Sequence, residues 1–348
     1  HVAVFRFSAL GDVAMTVPVV YEVCRAYPGI RFTLFTKKTV APLFVYPPDN
    51  LTVFPVDTKG RYRGFAGLWR LYRDMKSQGI DAIADLHNVL RTRVVGFFFA
   101  ISGVKRAILD KGRVAKRRLV ARKKPLPIQP LPTSFDRYRQ VFARLGFETP
   151  KTFRSVFDDR HLPLPLPEGI ESRREGEFWV GVAPFAKHEG KIYPLDRSES
   201  LVARLSQQED CRVFLMGGGG EEADLLGGWA EKYPRVVSLA GKRLGFAVEL
   251  SMMSRMTLVV SMDSANMHLA SMAGTPVVSV WGQTHPYAGF LGWRQSKENI
   301  IQLSDLSCRP CSIFGNKPCY RGDYACMQEL SVERIWNRVE EILRREKK

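Results

Sequence analysis

The stretch TLVVSMDSANMHLASMAGTPVVSVWG, residues 257–282, holds two apolar runs on either side of a helical pattern. The runs TLVVS and PVVSVW predict two buried neighbouring strands. Four small or polar residues, 263–266, form the turn that enters the helix. Backbone N–H groups at such a helix start favour a bound anion. Alternatively, Asp263 or Ser264 caps the helix and His268 is a hydrogen-bonded core residue.

The same alternation of strands and helices runs through most of the chain. Strands are predicted for HVAVFRF (1–7), RFTLFTK (31–37) and IDAIADL (80–86), and again for EFWVGVAP (177–184), CRVFLM (211–216) and RVVSLAG (235–241). Proline-rich stretches at 125–132 and 162–168 interrupt the pattern. The sequence therefore predicts an α/β fold of two Rossmann-like domains with parallel sheets, 1–165 and 176–330. A last helix, 331–348, could pack back on the N-terminal domain.

Composition is that of a globular protein, with 45% apolar residues and 28 glycines in 348 residues. The longest apolar run, VVGFFFAI at 94–101, is too short to span a membrane and predicts a buried helix. No secretory signal is visible near the first residue. We expect a soluble protein.

The net charge of +17 indicates an acidic partner. Much of it lies in residues 104–124, which hold ten Lys or Arg against one Asp. A run of this density predicts a binding surface, although a solvated lysine-rich loop is the alternative.

Two further stretches lie where predicted strands end, which is where open α/β sheets bind ligands. SALGD, 8–12, places Asp12 at a helix start, either as a reactive carboxylate or as an N-cap. In APFAKHEGKIYP, 183–194, Lys187 and Lys191 could reach a phosphate or belong to a surface loop. GGGGEE, 217–222, is no dinucleotide fingerprint, because Glu222 stands where the third glycine belongs. Glu222 could instead approach a nucleoside or lie on a solvated helix start.

Together these stretches resemble glycosyltransferase family 9, the lipopolysaccharide heptosyltransferases. The resemblance is carried by SALGDVAMTVP (8–18), ADLHNVLRTR (84–93), GKIYP (190–194) and MDSANMHLASMAGTPVVSVWGQTHP (262–286). It implies a GT-B fold and inverting transfer of a heptose, usually from ADP-heptose, to the lipopolysaccharide inner core. It also implies a cytoplasmic enzyme, peripheral on the inner face of the inner membrane. The N-terminal half would bind the acceptor and the C-terminal half the donor.

The resemblance assigns the donor diphosphate to the turn at Asp263, Ser264 and Ala265, with His268 orienting this turn or touching a phosphate. Asp12 would be the general base, and Lys191 would stabilise the leaving diphosphate. No Asp-x-Asp motif is present, so this interpretation requires no catalytic metal. The sequence departs from the family at Ser264 and Ala265, where Thr and Gly are common. It departs again at 185–186, where hydroxyl residues are common.

For the acceptor glycolipid we predict anion-binding cations in residues 105–124, notably Lys116, Arg117 and Arg118, together with Arg61 and Arg63. Asp85, His87 and Arg91 follow a predicted strand and are weaker acceptor-site candidates. A helix start explains Asp85 and His87 equally well.

Four cysteines near the C-terminus, Cys308, Cys311, Cys319 and Cys326, follow a C-x2-C-x7-C-x6-C spacing. This spacing could hold a structural zinc ion. Two disulfides and four reduced, partly buried thiols are the alternatives, and a reducing compartment disfavours the disulfides.

Two other function classes use some of the same features. A nucleic-acid-binding protein would use the positive charge, but VAKRRLVARKK lacks the aromatic residues that usually accompany it. A sugar-nucleotide epimerase-like enzyme on the same fold would share the donor half without needing a basic acceptor segment. We therefore expect a nucleotide-sugar and an anionic glycolipid as partners, and no nucleic acid.

Overall fold

Parallel strands and helices alternate in the computed structural model, which describes residues 1–124, 126–158 and 160–347. The chain divides into two compact units. Unit 1 consists of His1–Arg113 and Pro132–Val156, and unit 2 of Val114–Leu131 with the chain from Phe157 onward. The described residues confirm the predicted α/β class, with one parallel sheet in each unit.

Unit 1 is built on a parallel sheet of order β3-β2-β1-β4-β5 in the described residues. Its strands are β1 Val2–Phe5, β2 Phe32–Lys37, β3 Leu51–Val56, β4 Ala82–Asp85 and β5 Lys105–Ile108. Its helices are α1 Leu10–Ala14, α2 Thr16–Ala26, α3 Gly64–Lys76, α4 Leu90–Ile101 and α6 Ser134–Ala143. Helix α5, Arg113–Leu119, lies between α4 and α6 in the chain, and all of it after Arg113 belongs to unit 2. The strand order reverses between β1 and β4. The loops after these two strands therefore flank the switch point at which such sheets bind ligands.

Unit 2 repeats this plan in the order β11-β10-β9-β6-β7-β8. The strands are β6 Phe178–Ala183, β7 Cys211–Leu215, β8 Val236–Ser238, β9 Leu258–Met262, β10 Val277–Val280 and β11 Ile300–Ile301. The helices are α7 Leu195–Ser206, α8 Glu221–Lys232, α9 Phe246–Ser254, α10 Ala265–Met272, α11 Ala325–Gln328 and α12 Val332–Glu346. Here the order reverses between β6 and β9. The turn at 263–266 and the loop that carries Lys191 therefore flank the second switch point.

The boundaries of the units differ from the predicted domains. Residues 114–131 and the chain after Val156 pack with unit 2, whereas the prediction placed residues up to 165 in the N-terminal domain. Helix α12 also buries its apolar face in unit 2, with Ile335 and Val339 in the core of that unit. Its packing on the N-terminal domain stays a prediction. The last residue of the predicted segment 331–348 lies outside the described residues.

The predicted helix at 94–101 is confirmed but only partly buried, and the loop alternative for 104–124 does not hold. The apolar run 94–101 lies in α4 and buries Val95 and Phe99, but it leaves Phe97 and Ile101 exposed. The basic stretch 104–124 contains a strand and a helix, β5 and α5, and is not a single loop. None of the helices in the described ranges is long and apolar enough to cross a bilayer.

Candidate active site

The loop after β1 brings Asp12 to the switch point of unit 1. Asp12 is the third residue of α1 and not its N-cap, which is Ala9. Its Oδ2 accepts a hydrogen bond from the Ala9 N–H at 3.3 Å and lies 2.7 Å from a guanidinium nitrogen of Arg6. Both contacts use Oδ2, and the side chain remains 37% exposed. The carboxylate thus makes structural contacts through Oδ2 and remains accessible to solvent.

Arg6 is a residue of this site that the sequence analysis missed. Its buried guanidinium donates to the Leu86 carbonyl at 2.8 Å and lies 5.8 Å from the centre of the Tyr138 ring. A buried guanidinium requires a counter-ion, which Asp12 provides. The sequence could have pointed to Arg6, because it is a lone charged residue inside the apolar run HVAVFRF, and a charge within a buried strand needs a partner.

The loop after β4 contributes Asp85 and His87. Asp85 is buried, and its Oδ1 accepts the backbone N–H groups of His87 at 2.9 Å and Asn88 at 2.8 Å. Burial raises the pKa of this carboxyl, and these hydrogen bonds oppose the rise. Asp85 therefore builds the turn, as the helix-start alternative predicted. Its part in acceptor binding stays a prediction.

His87 is held as a neutral imidazole. Its Nδ1 accepts the Phe7 N–H at 3.4 Å, which leaves the proton on Nε2. Burial, and then the positive charges of Arg6 and Lys111, lower its pKa to about 3. Lys111 lies within the predicted anion-binding range 105–124, and its own pKa is lowered by burial and by Arg6. The site thus contains two cations and a neutral imidazole beside Asp12.

Acid is expected to destabilise the protein through His87. Because the pKa in the folded protein lies near 3, below the ordinary 6.5, the unfolded chain binds more protons between these values. This contribution is fully present above about pH 6.5 and is lost as the pH falls towards 3, at up to roughly 4 kcal/mol. Thermal unfolding between pH 7 and 4 should show a shallower decline in Tm for His87→Gln than for the wild type. Parallel declines would mean that other groups cause the acid sensitivity.

The predicted acceptor cations of unit 1 have local partners. Arg61 is exposed and pairs with Asp74 at 2.8 Å, whereas Arg91 donates to the Tyr62 carbonyl at 3.1 Å. Arg63 is exposed and directly precedes α3. Arg61 thus contacts the last turns of α3, and Arg91 contacts the segment before this helix. None of their described contacts joins them to Asp12.

In unit 2, Lys191 and Asp263 form an ion pair with Nζ and Oδ2 2.8 Å apart. Lys191 ends a short 3₁₀ turn, Glu189–Lys191, after β6, and Asp263 follows β9. Both side chains are largely buried, so each neutralises the other in a poorly solvated place. The structure therefore brings together two residues that the sequence placed on separate loops.

The start of α10 carries no side-chain cap among the described residues. Ser264 occupies the N-cap position but makes no side-chain bond to the first turn, and its hydroxyl lies 3.3 Å from that of Ser261. Asp263 is turned to Lys191 instead. The capping alternative is thus not formed, and the N–H groups of the first turn remain available to an anion. His268 is buried within this helix.

The Lys191 loop is fixed against the end of β10. The Gln283 N–H donates to the Gly190 carbonyl at 2.9 Å, and a Cβ at Gly190 would overlap the Gln283 amide. Gln283 and Thr284 are fully buried. Within the described part of the chain, neither the side-chain amide of Gln283 nor the hydroxyl of Thr284 has a hydrogen-bond partner. Gln283 lies within the quoted stretch 262–286, but the sequence analysis gave it no role, because its contact is with a loop 93 residues earlier.

The neighbouring loops add charge and polar groups. Lys187 is exposed, and it and Lys191 both lower the pKa of His188, after burial. Glu222 accepts the Gly218 N–H at 2.6 Å, so its carboxylate folds back on the glycine-rich loop after β7. Phe185, from the loop after β6, lies beside that glycine-rich loop at Gly217. Glu222 thus adjoins the Lys187 loop.

The basic segment belongs to unit 2, and part of its charge is used there. The Lys116 ammonium lies 4.1 Å from the centre of the Phe290 ring, and Arg122 lies 4.9 Å from that of Tyr320. Lys124 donates to the Cys308 carbonyl at 3.2 Å. Arg117 and Arg118 are exposed. The prediction of a binding surface therefore rests on these two arginines more than on Lys116.

The predicted four-cysteine zinc site is not formed in the structure. All six cysteines are free thiols, and no three His, Cys, Asp or Glu side chains of the described ranges are grouped to hold a metal ion. Burial raises the pKa of Cys326 to about 12 and also raises that of Cys311. These free thiols match the reduced-thiol alternative, which stays a prediction.

The two switch points differ in chemistry. Unit 1 offers an accessible carboxylate, and unit 2 offers a buried cation beside an uncapped helix start. The first arrangement can accept a proton, and the second can bind an anion and stabilise charge that develops on it.

Comparison with known proteins identifies the family of the chain. The sequence profile of glycosyltransferase family 9 (heptosyltransferase) matches residues 68–317. Lipopolysaccharide heptosyltransferase 1 of Pseudomonas aeruginosa is 26% identical over 323 residues, which cover 89% of this chain and 86% of the relative.

Solved structures of the family share the fold. The glycosyl transferase family 9 protein from Veillonella parvula has a TM-score of 0.72 at 18% identity, with 98% of this chain and 96% of that chain covered. The E. coli heptosyltransferase WaaC, solved with ADP and with ADP-2-deoxy-2-fluoro heptose, has TM-scores of 0.69 and 0.68 at 18% and 19% identity. In both WaaC structures, 98% of this chain and 99% of that chain are covered. The predicted GT-B fold is confirmed, and the chain belongs to glycosyltransferase family 9, the heptosyltransferases.

Proposed function

We propose that the protein transfers a heptose from ADP-heptose to the lipopolysaccharide inner core, with inversion at the anomeric carbon. The observation that carries this proposal is the Lys191–Asp263 ion pair beside the uncapped start of α10. The names of the matched relatives support the sugar and the acceptor, and the ADP-heptose analogue bound by WaaC supports the donor.

Unit 2 binds the donor in this proposal. The first-turn N–H groups of α10 bind the diphosphate, and the small side chain of Ala265 lets it approach closely. Asp263 carries the same sign of charge as the diphosphate, so it serves to hold Lys191 and makes no direct donor contact. Lys191 and Lys187 supply positive charge, while Glu222 lies nearer the nucleoside.

Unit 1 binds the acceptor, and Asp12 is the general base. A bond forms between the acceptor oxygen and the anomeric carbon while the bond to the diphosphate breaks. The hydroxyl proton passes to the exposed Asp12 carboxylate, and ADP leaves with the bonding electron pair. Arg6 holds Asp12 in place through Oδ2. His87, being neutral, can donate a hydrogen bond through Nε2 without adding charge.

The leaving diphosphate is stabilised by Lys191 and the α10 helix start, so we propose that transfer needs no metal ion. The enzyme acts at the cytoplasmic face of the inner membrane, where its lipid-linked acceptor lies. The acceptor binds through the phosphates or carboxylates of its core, and Arg117 and Arg118 supply cations for them.

A transfer assay tests the proposed reaction. Purified protein with ADP-heptose and heptose-free lipopolysaccharide core should yield ADP and a core heavier by one heptose, detected by mass spectrometry. NMR of the product should show the opposite anomeric configuration to that of the donor. UDP-glucose and GDP-mannose serve as control donors, and neither should give a product. Transfer from either of them, with none from ADP-heptose, would overturn the proposed donor.

The basic segment gives a separate expectation for the acceptor. Replacing Lys116, Arg117 and Arg118 by Ala should raise the acceptor KM by up to about fivefold for each cation that binds an acceptor anion. The acceptor KM of this variant should also depend less on salt concentration than that of the wild type. Arg117→Ala/Arg118→Ala should produce most of this effect, because Lys116 stacks on Phe290. Arg344→Ala/Arg345→Ala removes two exposed charges from α12 as a control. An unchanged acceptor KM with a raised donor KM would contradict the assignment.

A further inference from the structure

The outer face of α3 and α4 exposes an unusual amount of apolar surface. Phe65 and Trp69 on α3 are 69% and 47% exposed, and Leu90, Phe97 and Ile101 on α4 are 78%, 57% and 71% exposed. The spacing of i, i+4 on α3, and of i, i+7 and i+11 on α4, places each set on one side of its helix. The two helices pack against each other, so we treat these five residues as one surface, the α3–α4 face.

Ring contacts make this face continuous. The Phe98 ring lies 5.0 Å from Trp69, 6.1 Å from Phe65 and 6.3 Å from Phe97, between ring centres. Phe98 therefore bridges the two helices with aromatic surface. Single exposed apolar residues are common on soluble proteins, but a contiguous cluster marks an interaction site.

Cations surround the same face. Exposed Arg70, Arg73 and Lys76 lie on α3, and exposed Arg93 lies on α4. The acidic residue of α3, Asp74, accepts hydrogen bonds from Arg61 and Tyr62 and so adds no free negative charge to the rim. Aromatic side chains beside long basic ones suit the boundary between lipid headgroups and acyl chains, where rings insert and cations reach phosphates.

We propose that the α3–α4 face docks the protein on an anionic lipid bilayer, with Phe65, Trp69 and Phe97 in the headgroup–acyl boundary and the surrounding Arg and Lys on lipid phosphates. The proposal does not depend on the donor, the acceptor or Asp12. A second copy of the chain is a poorer occupant, because a twofold interface would place one cationic rim against another.

Trp69 makes the docking directly observable. The chain has six tryptophans, and the other five are buried, at 7% exposure or less. With vesicles of phosphatidylglycerol and phosphatidylethanolamine that carry brominated acyl chains, Trp fluorescence should be quenched. Trp69→Phe should lose most of this quenching. Absence of quenching, or equal quenching in Trp69→Phe, overturns the proposal.

Variants separate the apolar and electrostatic parts. Phe65→Ser/Phe97→Ser should weaken vesicle binding in flotation assays at least about tenfold. Arg70→Gln/Arg73→Gln should weaken it about fivefold for each charge removed, with no such loss on phosphatidylcholine vesicles. Leu225→Ser, at an exposed site on α8 of unit 2, is the control and should bind as the wild type does.

Sedimentation without lipid distinguishes a second copy of the chain. The wild type and Phe65→Ser/Phe97→Ser should sediment alike, because the face is unoccupied in solution. If the variant converts an oligomer into a smaller species, the face is a contact between copies and the lipid proposal is wrong. Unchanged melting of the variant would show that its effect does not come from unfolding.

Discussion

Asp12→Asn is expected to reduce turnover by about 10²- to 10⁴-fold while donor affinity stays nearly constant. Asn retains the size of the side chain and an oxygen that can accept the Ala9 N–H, but it cannot take up a proton at neutral pH. The loss corresponds to roughly 3 to 5 kcal/mol of transition-state free energy. Single-turnover rates and ADP-heptose titrations measure the two quantities separately.

The chain offers a matched control in Asp136. Asp136 is the third residue of α6, and its carboxylate accepts the N–H of the N-cap residue Thr133 at 3.0 Å, as Asp12 does for Ala9. Asp136→Asn should therefore have the same structural effect as Asp12→Asn, the loss of a carboxylate that accepts the N-cap N–H, but its turnover should stay normal. Nearly normal turnover by Asp12→Asn would place the base at another residue and leave Asp12 a structural role only.

Loss of the Lys191 charge is expected to lower kcat by about 10²- to 10³-fold and also to raise the donor KM. The ammonium interacts with the diphosphate before transfer and more strongly as that group leaves. Lys191→Met is the best variant, because the Lys191 stem lies against Gly315 and a methionine keeps that packing. Steady-state kinetics with varied ADP-heptose give both constants.

Removing Lys191 also leaves the buried Asp263 carboxylate without its counter-ion, which destabilises a protein by about 3–5 kcal/mol. Lys191→Met/Asp263→Asn removes both charges and separates this cost from catalysis. If the double variant regains both stability and turnover, Lys191 has no catalytic role. Lys187→Ala is the control within the same loop, since Lys187 is exposed, and its effect on kcat should be small.

The sequence predicted the elements around the switch points because their signals are local. The apolar runs at 257–261 and 276–281 and the polar turn between them specify strand, helix start and strand from neighbouring residues alone. In contrast, the pairing of Arg6 with Asp12 and the packing of Gln283 on Gly190 depend on how loops meet after the sheets form. Residue spacing carries little information about such contacts.

The run 94–101 shows a different limit of sequence analysis. Its composition predicts burial, yet in one helix Val95 and Phe99 enter the core while Phe97 and Ile101 face outward. Helical periodicity divides a uniformly apolar run between two faces, and composition cannot say whether the second face meets protein. Asp85 is similar, because its residue type fits both a reactive carboxylate and the turn-building one that the structure shows.

The placement of residues 114–131 in unit 2 also affects how the protein is made. Lys124 hydrogen-bonds to Cys308, 184 residues later in the chain. At a synthesis rate of about 5–20 residues per second, the segment leaves the ribosome about 10 to 40 s before its packing partner exists. During that interval it is an unpacked polycation surrounded by RNA. A fragment that ends before Phe290 keeps the segment in this state permanently, so unit 1 expressed alone as one continuous piece should co-purify with nucleic acid.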